Sequence, residues 1–467
     1  MLLDHTNNQA DLRELNANAV RDLESHFLGQ VIRPDDIEFE HSYHAWNTNY
    51  RRRPALVTRP ADAADVIRAV GFARDQGLEL AIRSGGHSLG GYSTVENGLV
   101  LDLSLMRGMS IDAQRRVAWA QPGLTWGTYT EMAQEHGLVT PAGDSPTVGL
   151  GGLTLGGGIG YLARKHGMTI DHLISAELVT ADGRLIRASR EERPDLFWAL
   201  RGGGGNFGVV TAFQFKLQPL NGIVGGPIVF PATPNLIRSY LQAAFEAPEE
   251  LTTITFVLPA PPLPFVPEEF VGKPVVVIAA CYAGEVEAGL KAVEPLRKLG
   301  KPVVDLMGPM PYAGLYALAE AGSPYLPRAT RSVFTDVLDA STREAMVEFA
   351  SETPVMGGLV QIRPLGGAMA RVPNDATAFA HRDAKLMVLA ESAWSEPHEA
   401  EQATARVERL YAGLRRHARG VYVNFLAREG QARIREAYPN GTYERLAAIK
   451  RAYDPRNLFR GNQNIIA

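Results

Sequence analysis

Residues 148–160 read VGLGGLTLGGGIG, with seven glycines among the twelve residues that follow Val148. The stretch lacks the Gly-Lys-Ser/Thr ending of a P-loop, so a nucleoside triphosphate is not favoured. Its bare N–H groups can still cradle a pyrophosphate, because glycine puts no side chain in the way. Ordinary tight turns are the alternative, and the density of glycine weighs against them. The pattern extends outward. Residues 85–160 hold 17 of the chain's 46 glycines and residues 202–208 hold five more. A usual share is about 7%, so this region demands close backbone approach or positive φ many times over.

The 467 residues suggest two or three domain-sized units, at about 100–200 residues each. Apolar residues make up 45% and charged residues 21%, an ordinary globular balance that excludes collagen, coiled coil and disorder. Lone Cys281 excludes an internal disulfide and a four-cysteine metal site, and no metal is expected. The net charge is −4, without a basic stripe, which argues against nucleic acid as a partner. The first 13 residues are polar and acidic, with no basic n-region before an apolar stretch. No run of 18 apolar residues offers a membrane span. The expectation is a soluble cytoplasmic protein.

The apolar period predicts helices over 11–28, with Leu12, Leu15, Val20, Leu23 and Phe27 as the stripe, and over 61–76 and 125–137. Strands are expected at 78–83, 99–103 and 117–120. Residues 176–180 and 184–188 flank Ala181-Asp182-Gly183 as a hairpin, and 207–217 alternates as a strand. Beyond 219 the pattern gives strands at 275–281, 357–363, 385–392 and 422–426, and helices at 286–299, 399–417 and 442–453. Strands interleaved with helices indicate an α+β fold, whose second sheet is covered on one face by helices.

Two further glycine motifs fail on context. Gly86-His87-Ser88-Leu89-Gly90 is a literal nucleophile elbow after a strand, but residues 91–97 lead to another strand and not to a helix. A serine hydrolase using Ser88 is therefore the weaker alternative. Gly203-x-Gly205-x-x-Gly208 matches a dinucleotide fingerprint, but a helix precedes it and a strand comes after it, the inverse of what that site needs.

Taken in order, five segments resemble one family. They are Arg83-Ser84-Gly85-Gly86-His87-Ser88, Gln121-Pro122-Gly123, residues 149–160, residues 202–210, and the terminal run from Tyr453 through Asp454-Pro455-Arg456-Asn457 to Asn462-Gln463-Asn464. Together they resemble the flavoproteins of vanillyl-alcohol oxidase type, in the berberine bridge enzyme-like group with its hydroxynicotine oxidase branch. The resemblance runs from about Arg53 to Asn464. It implies a two-part FAD-binding domain of PCMH type, residues 1–222 and 416–467, and a substrate domain, residues 223–415, with an antiparallel sheet covered by helices. It implies FAD beside Arg83, Ser84, Gly85, Gly86, Ser88, Leu89, Gly91, Gly123, Ser145, Val148, Gly149, Gly152, Gly157, Gly158, Gly160, Gly208, Val210, Asn462 and Asn464. It makes His87 the residue bonded to the flavin 8α-methyl.

The resemblance has departures. Many relatives carry a second tether, a cysteine in Gly-x-Cys-Pro-x-Val-Gly, whereas here Gly143-Asp144-Ser145-Pro146-Thr147-Val148-Gly149 places Ser145 there. One bond, through His87 alone, is the implication. Leu153 stands where plant members often have histidine. A small residue at Val148 goes with oxygen access in this family, which implies an oxidase that makes H2O2, with a dehydrogenase as the alternative. On the substrate side, Gln361 and Arg363 share a strand face, and Tyr422 and Asn424 do likewise in YVNF. These four are the expected catalytic residues, Tyr422 as a base only if Arg363 lowers its pKa from about 10. After Gly366-Gly367-Ala368-Met369 come Ala370 and Arg371, so the carboxylate base of some relatives is missing. The partners implied are a small-molecule substrate and O2.

Overall fold

Asp62 starts the first long helix by accepting the Asp65 N–H with its carboxylate. The helix Ala63–Asp75 then buries Val66, Ala69, Val70 and Ala73 between two sheets. The computed structural model describes residues 15–316 and 325–467. Leu12 lies outside them, and the first described helix is Ala17–His26. One sheet has the order Gln30–Ile32, Leu56–Arg59, Leu99–Asp102, Leu80–Arg83, the last three parallel. The other is antiparallel: Met109–Asp112, Val117–Ala120, Val209–Lys216, Leu173–Val179, Leu185–Ser189. Its last pair turns at Ala181-Asp182-Gly183, where Gly183 takes φ 85°.

From residue 223 the chain builds one antiparallel sheet of nine strands. Across it run Val304–Asp305, Ile223–Pro231, Pro274–Tyr282, Leu251–Pro259, Gly358–Pro364, Leu386–Ala393, Arg328–Thr335 and Ala418–Gly420, with Gly308–Met310 also on Ile223–Pro231. Strand alternation divides the side chains. Ile228, Val257, Val276, Ile278, Val360, Ile362 and Val388 pack under the helices Pro234–Glu246, Val286–Arg297, Ala340–Glu352 and Ala400–Arg415. The residues between them face the glycine-rich half.

That opposite face has two characters. Val229, Val275, Val277, Ala279, Phe256 and Leu258 make one half wholly apolar. Leu359 and Leu389 are joined by Gln361, Arg363, Glu391 and Arg328 on the other half. The α+β expectation matches the mixed helices and sheets. Several elements of this region are absent from the sequence expectations: Ile223–Pro231, Pro234–Glu246, Leu251–Pro259, Arg328–Thr335 and Ala340–Glu352.

Residues 422–426 are a correction. They form a 3-10 turn, Val423–Phe425, capped by the Phe425 N–H on the Tyr422 carbonyl. The strand of this region is Ala418–Gly420, at the sheet edge. Val421, Tyr422, Val423 and Leu426 are all buried, so the short apolar run packs on several sides and its period carries little information.

Candidate active site

A cavity of about 560 Å³ separates the glycine-rich half from the bare face of the nine-stranded sheet, inside the ~300–1,000 Å³ usual for small-molecule sites. Its glycine wall is packed backbone on backbone. A Cβ on Gly85 would stand 2.3 Å from the Gly149 nitrogen, and one on Gly149 2.1 Å from the Gly85 nitrogen. Ser84 Oγ donates to the Pro122 carbonyl and accepts the Gly151 N–H at 3.2 Å. The tract 149–160 is not a chain of turns only: Leu150–Gly156 is a short helix, ended by Gly157 and Gly158 at φ 137° and 77°.

At one end lies His87. Trp46 stacks on its ring, centroids 5.4 Å apart and planes 22° apart, and the Arg328 guanidinium lies over the Trp46 ring at 3.5 Å. Arg328 pairs with Glu391 at 2.6 Å. His87 Nε2 is shielded from solvent and has no hydrogen-bond partner among the described residues. Burial, then the nearby Arg83 and Arg328, pushes the imidazole down to about 4, so it is neutral at physiological pH.

At the other end, Arg363 is nearly fully buried and makes three hydrogen bonds. Its Nη2 meets Asp144 Oδ2 at 2.7 Å, Nε donates to Gln361 Oε1 at 2.9 Å, and Nη1 to the Ile159 carbonyl at 2.9 Å. Tyr422 Oη accepts the Gly158 N–H at 2.8 Å and Asn424 Nδ2 at 2.9 Å. Asn424 also reaches the Leu153 carbonyl at 3.1 Å. The 3-10 turn, rather than strand alternation, brings Tyr422 and Asn424 together. Burial raises the Tyr422 phenol to about 12, outweighing the two donors and Arg363, which lower it. The condition set for Tyr422 as a base, a pKa lowered by Arg363, is thus outweighed by burial.

The terminal run closes a third side. Asn462 Nδ2 donates to the carbonyls of Gly205, at 3.1 Å, and Phe459, at 3.0 Å, and Asn206 Nδ2 donates to the Gln463 carbonyl at 3.2 Å. Buried Lys450 bonds the Asn206 and Phe459 carbonyls and pairs with Asp454 at 2.8 Å.

Of the expected residues, Ser84, Gly85, Gly86, His87, Ser88, Leu89, Ser145, Val148, Gly149, Gly152, Gly208, Val210, Asn462, Gln361, Arg363, Tyr422 and Asn424 line the cavity. Arg83, Gly91, Gly123, Gly157, Gly158, Gly160 and Asn464 do not. They shape it from behind: Arg83 bonds the His44 carbonyl at 2.6 Å, Gly91 packs on Tyr50, and Gly123 on the Leu103 carbonyl. Missed by sequence were Trp46, Arg328, Glu391 and Asp144. Only Asp144 left a signal, standing beside Ser145 in the quoted segment. Ser88 Oγ accepts the Tyr92 N–H at 3.2 Å and makes no hydrogen bond to an imidazole among the described residues, His87 being stacked on Trp46. A hydrolase finds no geometry here. The Gly203–Gly208 motif sits after the helix Pro194–Leu200 and before Val209–Lys216, inverted as expected. Among the described residues, no cluster of three or more His, Cys, Asp or Glu could hold a metal, and no helix is long and apolar enough to cross a membrane.

The residues fit a flavin nucleotide. A Cβ on Gly152 would meet no atom within 4 Å, and one on Gly205 only Asn462 Nδ2 at 4.0 Å, so both glycines open onto the cavity. His87 Nε2 and Asn462 Oδ1 are buried polar atoms without hydrogen-bond partners among the described residues, and both residues line the same space. Residues 54–189 match the FAD binding domain family, and residues 421–466 the berberine and berberine-like family. The (R)-6-hydroxynicotine oxidase of Paenarthrobacter nicotinovorans is 34% identical, covering 94% of this chain and 96% of that protein. An FAD-linked oxidoreductase of Dictyostelium discoideum is 30% identical, covering 94% of each. The crystal structure of 6-hydroxy-D-nicotine oxidase from Arthrobacter nicotinovorans superposes with a TM-score of 0.85 at 34% identity, over 94% of this chain and 98% of that one. The glycine cradle, the terminal clamp and likeness over nearly the whole length agree, and the chain belongs to the berberine bridge enzyme-like family of FAD-linked oxidoreductases.

Proposed function

We propose that this protein is an oxidase of small molecules that holds its flavin by one covalent bond, from His87 to the 8α-methyl carbon. FAD supplies the hydride acceptor for a substrate C–H and delivers the two electrons to O2, giving H2O2. The observation that carries the reading is His87 Nε2, a neutral nitrogen held in the cavity without a partner among the described residues. A protonated imidazole would have no lone pair to form the bond, and burial beside two arginines keeps the proton off. Ser145, at the second tether's position, lines the cavity but offers a hydroxyl and no thiolate. Cys281 is buried in the sheet core, where burial raises its thiol pKa, so it forms no tether.

Within this reading the chain divides into 1–222 with 416–467, which hold FAD, and 223–415, which offers the substrate wall. Gln361, Arg363, Tyr422 and Asn424 orient the substrate rather than take its proton, and the raised Tyr422 phenol supports this. Val148 lines the cavity, and its small side chain leaves room for O2. The oxidase name of the 34% identical relative supports O2 as acceptor over a dehydrogenase. Acid precipitation and then a denaturing gel test the tether: the wild-type band fluoresces as flavin, and His87→Ala does not. Fluorescence kept by His87→Ala would overturn the single bond. Substrate reduction without air, then admission of air with peroxide detection, tests the oxidase.

A further inference from the structure

Resting on that reading, we infer that the substrate is a molecule with an apolar body and a single N–H or O–H donor beside its reacting carbon, and that Asp144 receives this donor. Saccharides and carboxylates are excluded.

Asp144 Oδ2 takes the bonds from Arg363 and, at 3.4 Å, Gln361. Its Oδ1 has no hydrogen-bond partner among the described residues, and the side chain keeps 22% of its surface open in the cavity. One acceptor oxygen is therefore presented, and it is held in place. Three of the five N–H donors of Arg363 go to Asp144, Gln361 and Ile159, and its charge is balanced by the Asp144 carboxylate at 2.7 Å. Arg328 is likewise paired with Glu391. Both sheet arginines already face a carboxylate, so a substrate carboxylate would be desolvated here beside charges that are already balanced.

The rest of the wall has almost nothing to offer a polar molecule. Val229, Phe256, Leu258 and Val277 carry no polar atom in their side chains. The adjoining loop 259–267 reads PAPPLPFVP, and five of its nine residues are prolines without an N–H. Three of the remaining N–H groups are already used: Ala260 on the Lys273 carbonyl, Leu263 on Pro261 and Val266 on Leu263. Phe265 and Met356 make the rim apolar too, at 38% and 39% exposed. Each hydroxyl of a sugar would lose water against this wall and find almost no donor there to replace it. A ring or alkyl body loses no hydrogen bond there and gains burial.

The test uses the yellow holoenzyme without air and monitors the flavin spectrum with four probes: benzyl alcohol, N-methylbenzylamine, cellobiose and phenylacetate. The first two are expected to shift or bleach the band, and the last two to leave it unchanged. In Asp144→Asn the two donor probes weaken about tenfold or more, while phenylacetate begins to bind because Arg363 has lost its counter-charge. A role of Asp144 in folding alone would not reverse charge selectivity. If Asp144→Asn fails to fold, Phe265→Ser serves: both aromatic probes weaken, and cellobiose stays silent. A response to cellobiose at lower concentration than to benzyl alcohol, silence towards both aromatic probes, or equal weakening of all probes in Asp144→Asn overturns the inference. A preparation without flavin bands would instead defeat the oxidase reading itself.

Discussion

Trp46 lies nearly parallel to the His87 ring, planes 22° apart and centroids 5.4 Å apart, and the Arg328 guanidinium lies over the Trp46 ring at 3.5 Å. The stack removes water from the imidazole and brings a positive charge near it, and both effects disfavour the protonated form. With its pKa at about 4, His87 is neutral above that pH, so the rate of covalent flavin attachment is expected to be flat from about pH 5 to 8. In Trp46→Ala the ring meets water, its pKa returns toward about 6.5, and attachment slows as pH falls below that value. Gel fluorescence against time at several pH values reads this, and an unchanged profile would refute it. The linkage has a definite sign. The unfolded chain takes this proton near pH 6.5 and the folded chain near 4, so apoprotein stability falls as pH drops through that window.

Tyr422 is the meeting point of two donors, from Gly158 and Asn424. Tyr422→Phe leaves both without an acceptor in a buried place, at a cost of about 1–3 kcal/mol each in stability. Because burial holds the phenol at about 12, no ionisation of Tyr422 belongs in the pH–rate profile below about 10. The variant is expected to lower turnover and keep the profile's shape. Loss of a limb near neutral pH would restore Tyr422 as the base.

Lys450 and Asp454 are both fully buried, 2.8 Å apart, and one helical turn separates them. Burial lowers the lysine pKa and Asp454 opposes that shift. Lys450→Met leaves the Asp454 carboxylate without a cation in the core, a loss of about 3–5 kcal/mol. Asp454 also accepts the N–H groups of Leu458 and Phe459 at 2.8 Å each. The variant should therefore loosen the terminal clamp on Asn206 and Gly205. A denaturation midpoint no lower than wild type would contradict this.

The glycine-rich half was legible because its glycines answer to backbone contacts that lie close in the chain or recur as motifs. Gly85 and Gly149 needed only the absence of a Cβ. The hairpin at Gly183 needed only positive φ. The sheet of residues 223–415 was harder. The strand Ile223–Pro231 contains Gly225, Gly226 and Pro227, which look like a break, and eight of its nine residues are buried, so it shows no alternation. On the site's side, Gln361 and Arg363 came from strand period two. Trp46 and Arg328 are 282 positions apart and meet only through tertiary packing, which no local pattern encodes. Asp144 sat inside a motif already singled out, yet its meaning depended on Arg363 arriving from a distant strand.

Gly152 separates what folding needs from what the cofactor needs. It lies inside the helix Leu150–Gly156, and a Cβ there touches nothing within 4 Å. Glycine within a helix costs roughly 0.5–1 kcal/mol against alanine, so Gly152→Ala is expected to make the apoprotein slightly more stable. The new methyl points into the cavity, where the flavin nucleotide would have to avoid it, so FAD content should fall. Gly149→Ala differs in sign, since its Cβ would stand 2.1 Å from the Gly85 nitrogen, backbone against backbone, and neither side can yield. That variant should lose stability and flavin together. Thermal midpoints of the apoproteins, read beside the flavin-to-protein absorbance ratio, decide the matter. A Gly152→Ala protein with full flavin content would mean that this glycine does not face the cofactor.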